Sequence, residues 1–184
     1  MKYKIKKMQL LAIGVILFAV YSSLQAQSIN QEKLEKIRMY IAEVRHPDSV
    51  DMLARIRAIE PTNPQAYLIM IADDSNQRAG VRMKAFGLLS NFSTDASVLD
   101  FLENRIQNNS INESYRAIAT SSYVRGFYKG NKARVESTLK KVENDNSISV
   151  RQNASEILRK MKSGEEHPAG KNVSKKGEDH RIKK

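Results

Sequence analysis

The sequence predicts an all-α fold in which about eight helices form antiparallel hairpins that stack into an α-solenoid. Three observations predict it. Between Gln27 and Lys162 almost every segment places apolar residues at helical spacing. No run of alternating apolar and polar residues in this range is long enough to indicate a strand. A similar pattern of residues within a helix recurs after 34 and then 35 residues, and a fixed period built from helix pairs is typical of a solenoid.

The first 26 residues have the layout of a secretory signal peptide. Four lysines precede an apolar run from Met8 to Tyr21, and small and polar residues then lead to Ala26, the expected last residue before cleavage. An uncleaved membrane anchor is the alternative, but an apolar helix of this length reaches about 21 Å across a hydrocarbon core of roughly 30 Å. We therefore expect an exported bacterial protein, periplasmic or secreted, whose mature chain begins near Gln27.

Three helices are predicted in the first part of the mature chain. The first opens with Ser28 and Gln31 in capping-box spacing. The third has Pro64 at its first position and is apolar on nearly all sides, which indicates a buried helix. The second lies between Asp48 and Pro61, and its predicted core face consists of Val50, Leu53 and Ile56.

Five further helices follow, and they contain the repeat. Arg82, Arg116 and Arg151 lie 34 and 35 residues apart. One hairpin cannot cover both of its apolar stripes, so the next hairpin stacks on it, and small alanines let neighbouring first helices approach closely. Each arginine has an apolar residue before it and an alanine and a bulky residue three and seven positions after it: Val81, Ala85 and Leu89; Tyr115, Ala119 and Tyr123; Val150, Ala154 and Leu158.

The segment DNSISVRQNASEILRKM resembles the first helix of a HEAT repeat, in which an Asp, a Val-Arg pair, an Ala and a Leu follow in that order. NQRAGVRMKAFGLL is similar, with Asn76 in place of the Asp, and SINESYRAIATSSY departs further. The resemblance covers roughly residues 76 to 161 and implies a right-handed HEAT-like solenoid whose second helices line a concave binding face. Tetratricopeptide repeats share a period of about 34 residues, but their Trp, Leu-Gly, Tyr and Pro positions are not filled here.

The sequence predicts no catalytic, cofactor or metal site. His46 lies in a turn, and His167 and His180 lie in the C-terminal tail, with no cysteine and no HExxH spacing anywhere in the chain. There is no GxSxG motif, and the glycines are too scattered for a phosphate-binding loop. Asp73 and Asp74 could form an acid/base pair or a cation site, but we interpret them as a helix end and a cap for the next helix. We expect a protein that is not an enzyme and holds no cofactor.

The repeated arginines allow two interpretations. Arg82, Arg116 and Arg151 could form a row that binds anions, or a structural ladder in which each guanidinium bonds a carbonyl or carboxylate of the neighbouring repeat. Their coincidence with the core period favours the ladder. Asp145, close in sequence to Arg151, is its clearest predicted rung.

Candidate binding residues lie in two places. YVRGFYKGNK is the densest aromatic and basic cluster, where Tyr123 and Phe127 read as core residues and Gly130 as the helix terminator. Tyr and Arg are common anchors of binding surfaces. The second helices supply the other candidates, on the expected concave face. Together the candidate partner-binding residues are Arg55, Asn104, Arg125, Tyr128, Lys129, Arg134, Lys140 and Lys141.

The chain ends in a different composition. Residues 163–184 are mostly Gly, Pro, Ser, Lys and Glu, which cannot bury enough apolar area, so we predict a disordered basic tail after a HEAT-like domain at 27–162. The last helix, Ser149 to Lys162, has a polar outer side that suits a capping element.

The charge is mildly basic. The formal net charge of +11 falls to +7 once the four leader lysines are removed. This mixed surface is not that of a dedicated polyanion binder. We expect a monomeric scaffold or adaptor that binds another protein and no nucleic acid, with membrane contact only through the tail. The alternative is a binder of anionic polymers or membrane headgroups through the tail and the concave face.

Overall fold

The computed structural model describes residues 29–44 and 49–163, which form α-helices and no strand. This confirms the predicted all-α fold with about eight helices for the described part of the chain. The predicted signal peptide at 1–26, all three histidines and the chain from residue 164 onward lie outside the described residues. The eight helices are α1 Gln31–Glu43, α2 Ser49–Ile59, α3 Pro64–Asp73, α4 Ala79–Leu89, α5 Ala96–Gln107, α6 Glu113–Phe127, α7 Lys132–Val142 and α8 Ile148–Ser163.

Polar side chains set several helix starts. The Asn30 side chain accepts a hydrogen bond from the Lys33 amide at 3.1 Å and begins α1. The predicted capping box is therefore wrong in position, because the N-cap is Asn30 and not Ser28. Asp95 caps α5 by accepting from two backbone amides, and Pro64 is the first residue of α3, as its fixed φ predicts.

The repeated apolar positions form the core. Eight of the nine residues that flank the three arginines are buried, and the ninth, Tyr115, is partly buried against the same cluster. Val50 is a wrong core prediction, since it is 71% exposed. The buried face of α2 consists of Met52, Leu53 and Ile56, and Val50 lies in the first turn, off that face.

Helices two places apart in the chain pack against each other. From α3 onward, α3 contacts α5, α4 contacts α6, α5 contacts α7 and α6 contacts α8. Neighbours in the chain also pack closely, above all α3 with α4 and α5 with α6, while α1 contacts α2, α3 and α4. The buried side chains consequently form one continuous cluster from α1 to α8.

One contact between α4 and α6 is too close for any side chain. A Cβ atom on Gly126 of α6 would lie 2.8 Å from the carbonyl oxygen of Ser90, the residue that follows α4. Gly87 of α4 offers a contrast, because a Cβ atom there would meet nothing within 4 Å. Glycine at 126 thus sets how closely these two helices approach at this end.

We predict that Gly126→Ala lowers the free energy of unfolding by about 1–3 kcal/mol, because the added methyl overpacks a backbone contact. The matched change Gly87→Ala should stabilise the protein by up to about 1 kcal/mol, since alanine favours helix and meets no neighbour. Urea denaturation followed by circular dichroism measures both. Equal effects of the two changes would contradict the close approach of α4 and α6.

Candidate functional site

Two of the repeat arginines make the same backbone contact. The Nε of Arg82 donates to the carbonyl of Ala72 at 3.0 Å, and the Nε of Arg116 donates to the carbonyl of Ile106 at 2.9 Å. Each acceptor belongs to the last turn of the preceding helix, where carbonyls lack a partner within the helix. Each guanidinium therefore joins its own helix to the end of the helix before it.

Arg116 also holds the turn before α8. Its two terminal nitrogens donate to the two carboxylate oxygens of Asp145, with Nη1 2.9 Å from Oδ1 and Nη2 bonded to Oδ2. Both residues are buried, at 3% and 9% exposure. The Asp145 carboxylate also accepts from the Ser147 amide at 2.9 Å. The hydrogen bond from Arg116 holds the pKa of Asp145 below its usual range, although burial acts in the opposite direction.

Arg151 does not bind the carboxylate of Asp145, which the sequence suggested as its partner. Arg151 Nη1 donates to the backbone carbonyl of Asp145 at 2.6 Å, while the carboxylate of Asp145 turns back to Arg116. Arg82, the first arginine of the predicted ladder, also differs from Arg116, because its guanidinium contacts a ring and not a carboxylate. It lies 4.0 Å from the centroid of the Tyr115 ring, a cation–π contact. The ladder role of the three arginines stays a prediction, and these contacts support it.

We predict that Arg116→Ala destabilises the protein by about 3–5 kcal/mol, because it leaves the buried Asp145 carboxylate without its cation. Arg151→Ala, which removes a hydrogen bond to a backbone carbonyl, should cost about 0.5–1.5 kcal/mol. Thermal unfolding and urea denaturation measure both. If Arg151→Ala proved as costly as Arg116→Ala, the assignment of Asp145 to Arg116 would be wrong.

We also predict an acid-dependent contribution from Asp145. A carboxylate whose pKa is lowered by folding stabilises the protein above its unfolded pKa of about 3.9, and the contribution disappears as the pH falls through the folded pKa. The difference in unfolding free energy between the wild type and Asp145→Asn should therefore be constant near neutrality and shrink below about pH 4. Urea titrations at several pH values measure it, and a difference that grew in acid would contradict the sign.

A polar network spans α5, α6 and α7. The Nε of Arg134 donates to Glu103 at 2.7 Å and its Nη2 to Asp100 at 2.6 Å, while the Thr138 hydroxyl donates to Glu103 at 2.9 Å. The Tyr123 hydroxyl lies 3.3 Å from the Thr138 hydroxyl, and either oxygen can donate in this contact. Burial raises the pKa of Glu103, but the hydrogen bonds from Thr138 and Arg134 outweigh it and keep the pKa below its usual value.

This network occupies two of the eight candidate binding residues. Arg134 is paired with two carboxylates, and Lys141 lies 3.9 Å from Glu103. Asn104 accepts a hydrogen bond from its neighbour Arg105 at 3.0 Å. Sequence reasoning missed these pairs although a signal existed. Asp100 and Arg134 are 34 residues apart, and Glu103 and Thr138 are 35 apart, which is the repeat period itself.

Asp73 and Asp74 serve two different arginines. Asp73 pairs with Arg105 of α5 at 2.8 Å, and Asp74 pairs with Arg38 of α1 at 2.8 Å. Asp74 is the C-cap of α3, and its other oxygen accepts from the Asn76 amide in the turn that follows. The contacts of both carboxylates join α3 to its neighbours.

Apart from Ile148 at its start, the exposed residues of α8 are polar. Arg159 and Lys160 bind the Glu156 carboxylate and lower the pKa of Glu156 to about 2. Gln152 is also exposed on this helix. Within the described chain no later helix follows α8, so this polar side is compatible with the predicted capping role.

Four candidate residues have side chains without a partner in the described part of the chain. Arg55, Arg125, Lys129 and Lys140 are exposed, and their side chains form no ion pair or hydrogen bond with a described residue. Tyr128 is half-buried, and the Lys132 ammonium lies 6.0 Å from the centroid of its ring.

The structure brings only part of this set together. Arg125, Tyr128 and Lys129 meet at the end of α6, whereas Arg55 and Lys140 lie on α2 and α7. The helix α6 ends at Phe127, earlier than predicted, and the Gly130 amide bonds the Phe127 carbonyl within the turn.

Other classes of site give no signal in the described residues. No group of three His, Asp or Glu side chains there could hold a metal ion, and no helix among them has the length and apolar character needed to cross a membrane. Comparison with family models, with curated proteins and with solved structures gives no match for this chain.

Proposed function

We propose that residues 27–162 form a HEAT-like, right-handed solenoid of antiparallel hairpins that acts as a monomeric, non-enzymatic scaffold for binding another protein. The contacts between helices two places apart support the solenoid. So do side-chain contacts close to one period apart, such as Glu113 with Ser147 and Ala117 with Asn153. In an array of this kind each repeat binds its neighbours, and an extended surface remains for a partner.

The observation that carries the binding role is the cluster of Arg125, Tyr128 and Lys129. Most charged residues near the helix interfaces are paired inside the protein, as Arg134 and Arg116 show. Arg125 and Lys129, by contrast, are exposed cations whose side chains have no partner among residues 29–44 and 49–163, and they lie beside a half-buried tyrosine. Arg and Tyr in such a setting are typical of residues that dominate binding energy.

The proposed setting is the bacterial periplasm or the exterior. It rests on the leader layout, in which four lysines precede an apolar run. A chain without cysteine needs no disulfide for its stability there, because its size permits a sufficient core.

The test is cross-linking capture from envelope extract with the purified chain from residue 27 onward. We expect the same protein to be recovered in repeated experiments, and the complex to be re-formed from the two purified components at about physiological salt. The double change Arg125→Ala with Lys129→Ala, which leaves the half-buried Tyr128 in place, should weaken that complex while the melting temperature stays close to that of the wild type. Recovery of no reproducible protein would contradict the proposal.

The alternative function, binding of anionic polymers or headgroups, is favoured by the same exposed cations. It predicts a steep loss of affinity with salt. Retention on heparin or on phosphatidylglycerol vesicles that survives deletion of residues 164–184, and that disappears as salt is raised, would support it over the scaffold.

A further inference from the structure

Three turns lie at one end of the helix array. The C-terminal ends of α4 and α6 meet where Gly126 approaches Ser90, so the α4–α5 and α6–α7 turns follow at the same end. The α2–α3 turn lies beside them, because Gln65 at the start of α3 donates to Asp95 at the start of α5 at 2.7 Å. The cations and rings that flank these turns are Arg57, Phe92, Arg125, Tyr128, Lys129 and Lys132, which we name the basic turn edge.

The acidic residues near the basic turn edge are already engaged. Glu60 binds Lys33 at 2.8 Å and two backbone amides. Asp95 accepts from Ser97, from the Val98 amide and from the Gln65 side chain. Glu136 lies 4.0 Å from Lys132. These contacts leave an excess of positive charge at this end of the array.

Three cations of the basic turn edge have no carboxylate partner among the described residues. Arg57, Arg125 and Lys129 are all exposed, and no ion pair joins them to the described chain. Exposed cations are common, but Arg125 and Lys129 lie beside the close contact of α6 with Ser90, and Arg57 lies against Phe92 in the turn that follows Ser90. Their charges therefore have the same sign at the same end of the array.

Aromatic rings order part of this surface. The Arg57 guanidinium lies 5.6 Å from the Phe92 ring centroid, and the Lys132 ammonium lies 6.0 Å from that of Tyr128. A cation held over a ring loses less side-chain freedom when a partner binds. Tyr128 is only partly buried, so part of this residue remains accessible to a partner beside Lys129.

We propose that the basic turn edge binds an acidic segment of a partner protein, whose carboxylates pair with Arg57, Arg125 and Lys129 and whose apolar side chain packs on Tyr128. This rests on the proposed scaffold function and names its surface and its partner chemistry. Carboxylates fit the planar fork of arginine. Proteins that bind duplex DNA strongly can make roughly six to ten phosphate contacts. Three cations without an ion pair are fewer than that, which favours a short acidic peptide over a nucleic acid.

The probe is a fluorescent peptide of repeating Glu, Leu and Gly, with a counterpart in which every Glu is Gln. Fluorescence anisotropy at about physiological salt should show binding of the acidic peptide only. Arg125→Glu should weaken binding about tenfold or more. The matched control is Arg78→Glu, which makes the same charge change at an exposed arginine before α4 that has no ion pair to a described residue, and should weaken binding less than about threefold.

Equal weakening by the two variants would overturn the proposal, because the binding would then follow net charge. Absence of peptide binding, while both variants still capture the same envelope protein, would overturn the basic turn edge and leave the scaffold function standing. Absence of both peptide binding and protein capture would contradict the basic turn edge as a binding surface and the scaffold function as well. Binding of phosphatidylglycerol vesicles or heparin at this edge, with no peptide binding, would replace the acidic protein segment by an anionic polymer or headgroup. Unchanged thermal unfolding of each variant is required for the comparison.

Discussion

The buried guanidinium of Arg116 is the interaction on which the repeat arrangement depends most. Its Nε bonds the Ile106 carbonyl at the end of α5, and its terminal nitrogens bond Asp145 before α8. One side chain of α6 thus joins this helix to the end of α5 and to the turn between α7 and α8. Because a buried charge without a partner is strongly unfavourable, the array cannot rearrange here without a large loss of stability.

The same period places other charges opposite each other. Asp100 and Arg134 are one period apart and pair across neighbouring helices, as Asp73 and Arg105 do at 32 residues. Ionic contacts of this kind use up much of the surface charge near the second helices. Few exposed cations near these helices then lack an ion pair within the described residues. Among them, Arg125 and Lys129 lie beside the close contact of Gly126 with Ser90.

Much of the fold could be predicted because helical spacing and the repeat act over many residues. The buried positions Ala85, Ala119 and Ala154 followed directly from the period. Val50 did not, because near a helix start a one-residue difference in register changes which face a residue occupies. The partner of Asp145 was also missed. Sequence distance favoured Arg151, but the carboxylate bonds Arg116 of α6, and only three-dimensional packing determines such a choice.

A double-mutant cycle on Arg116 and Asp145 tests the central claim most directly. The unfolding free energies of Arg116→Ala, Asp145→Ala and the double variant give the coupling between the two side chains. The structure predicts a coupling of about 1–3 kcal/mol, because the bidentate pair is buried and joins neighbouring repeats. Additive effects, within about 0.5 kcal/mol, would contradict the account, since the two side chains would then stabilise the protein independently.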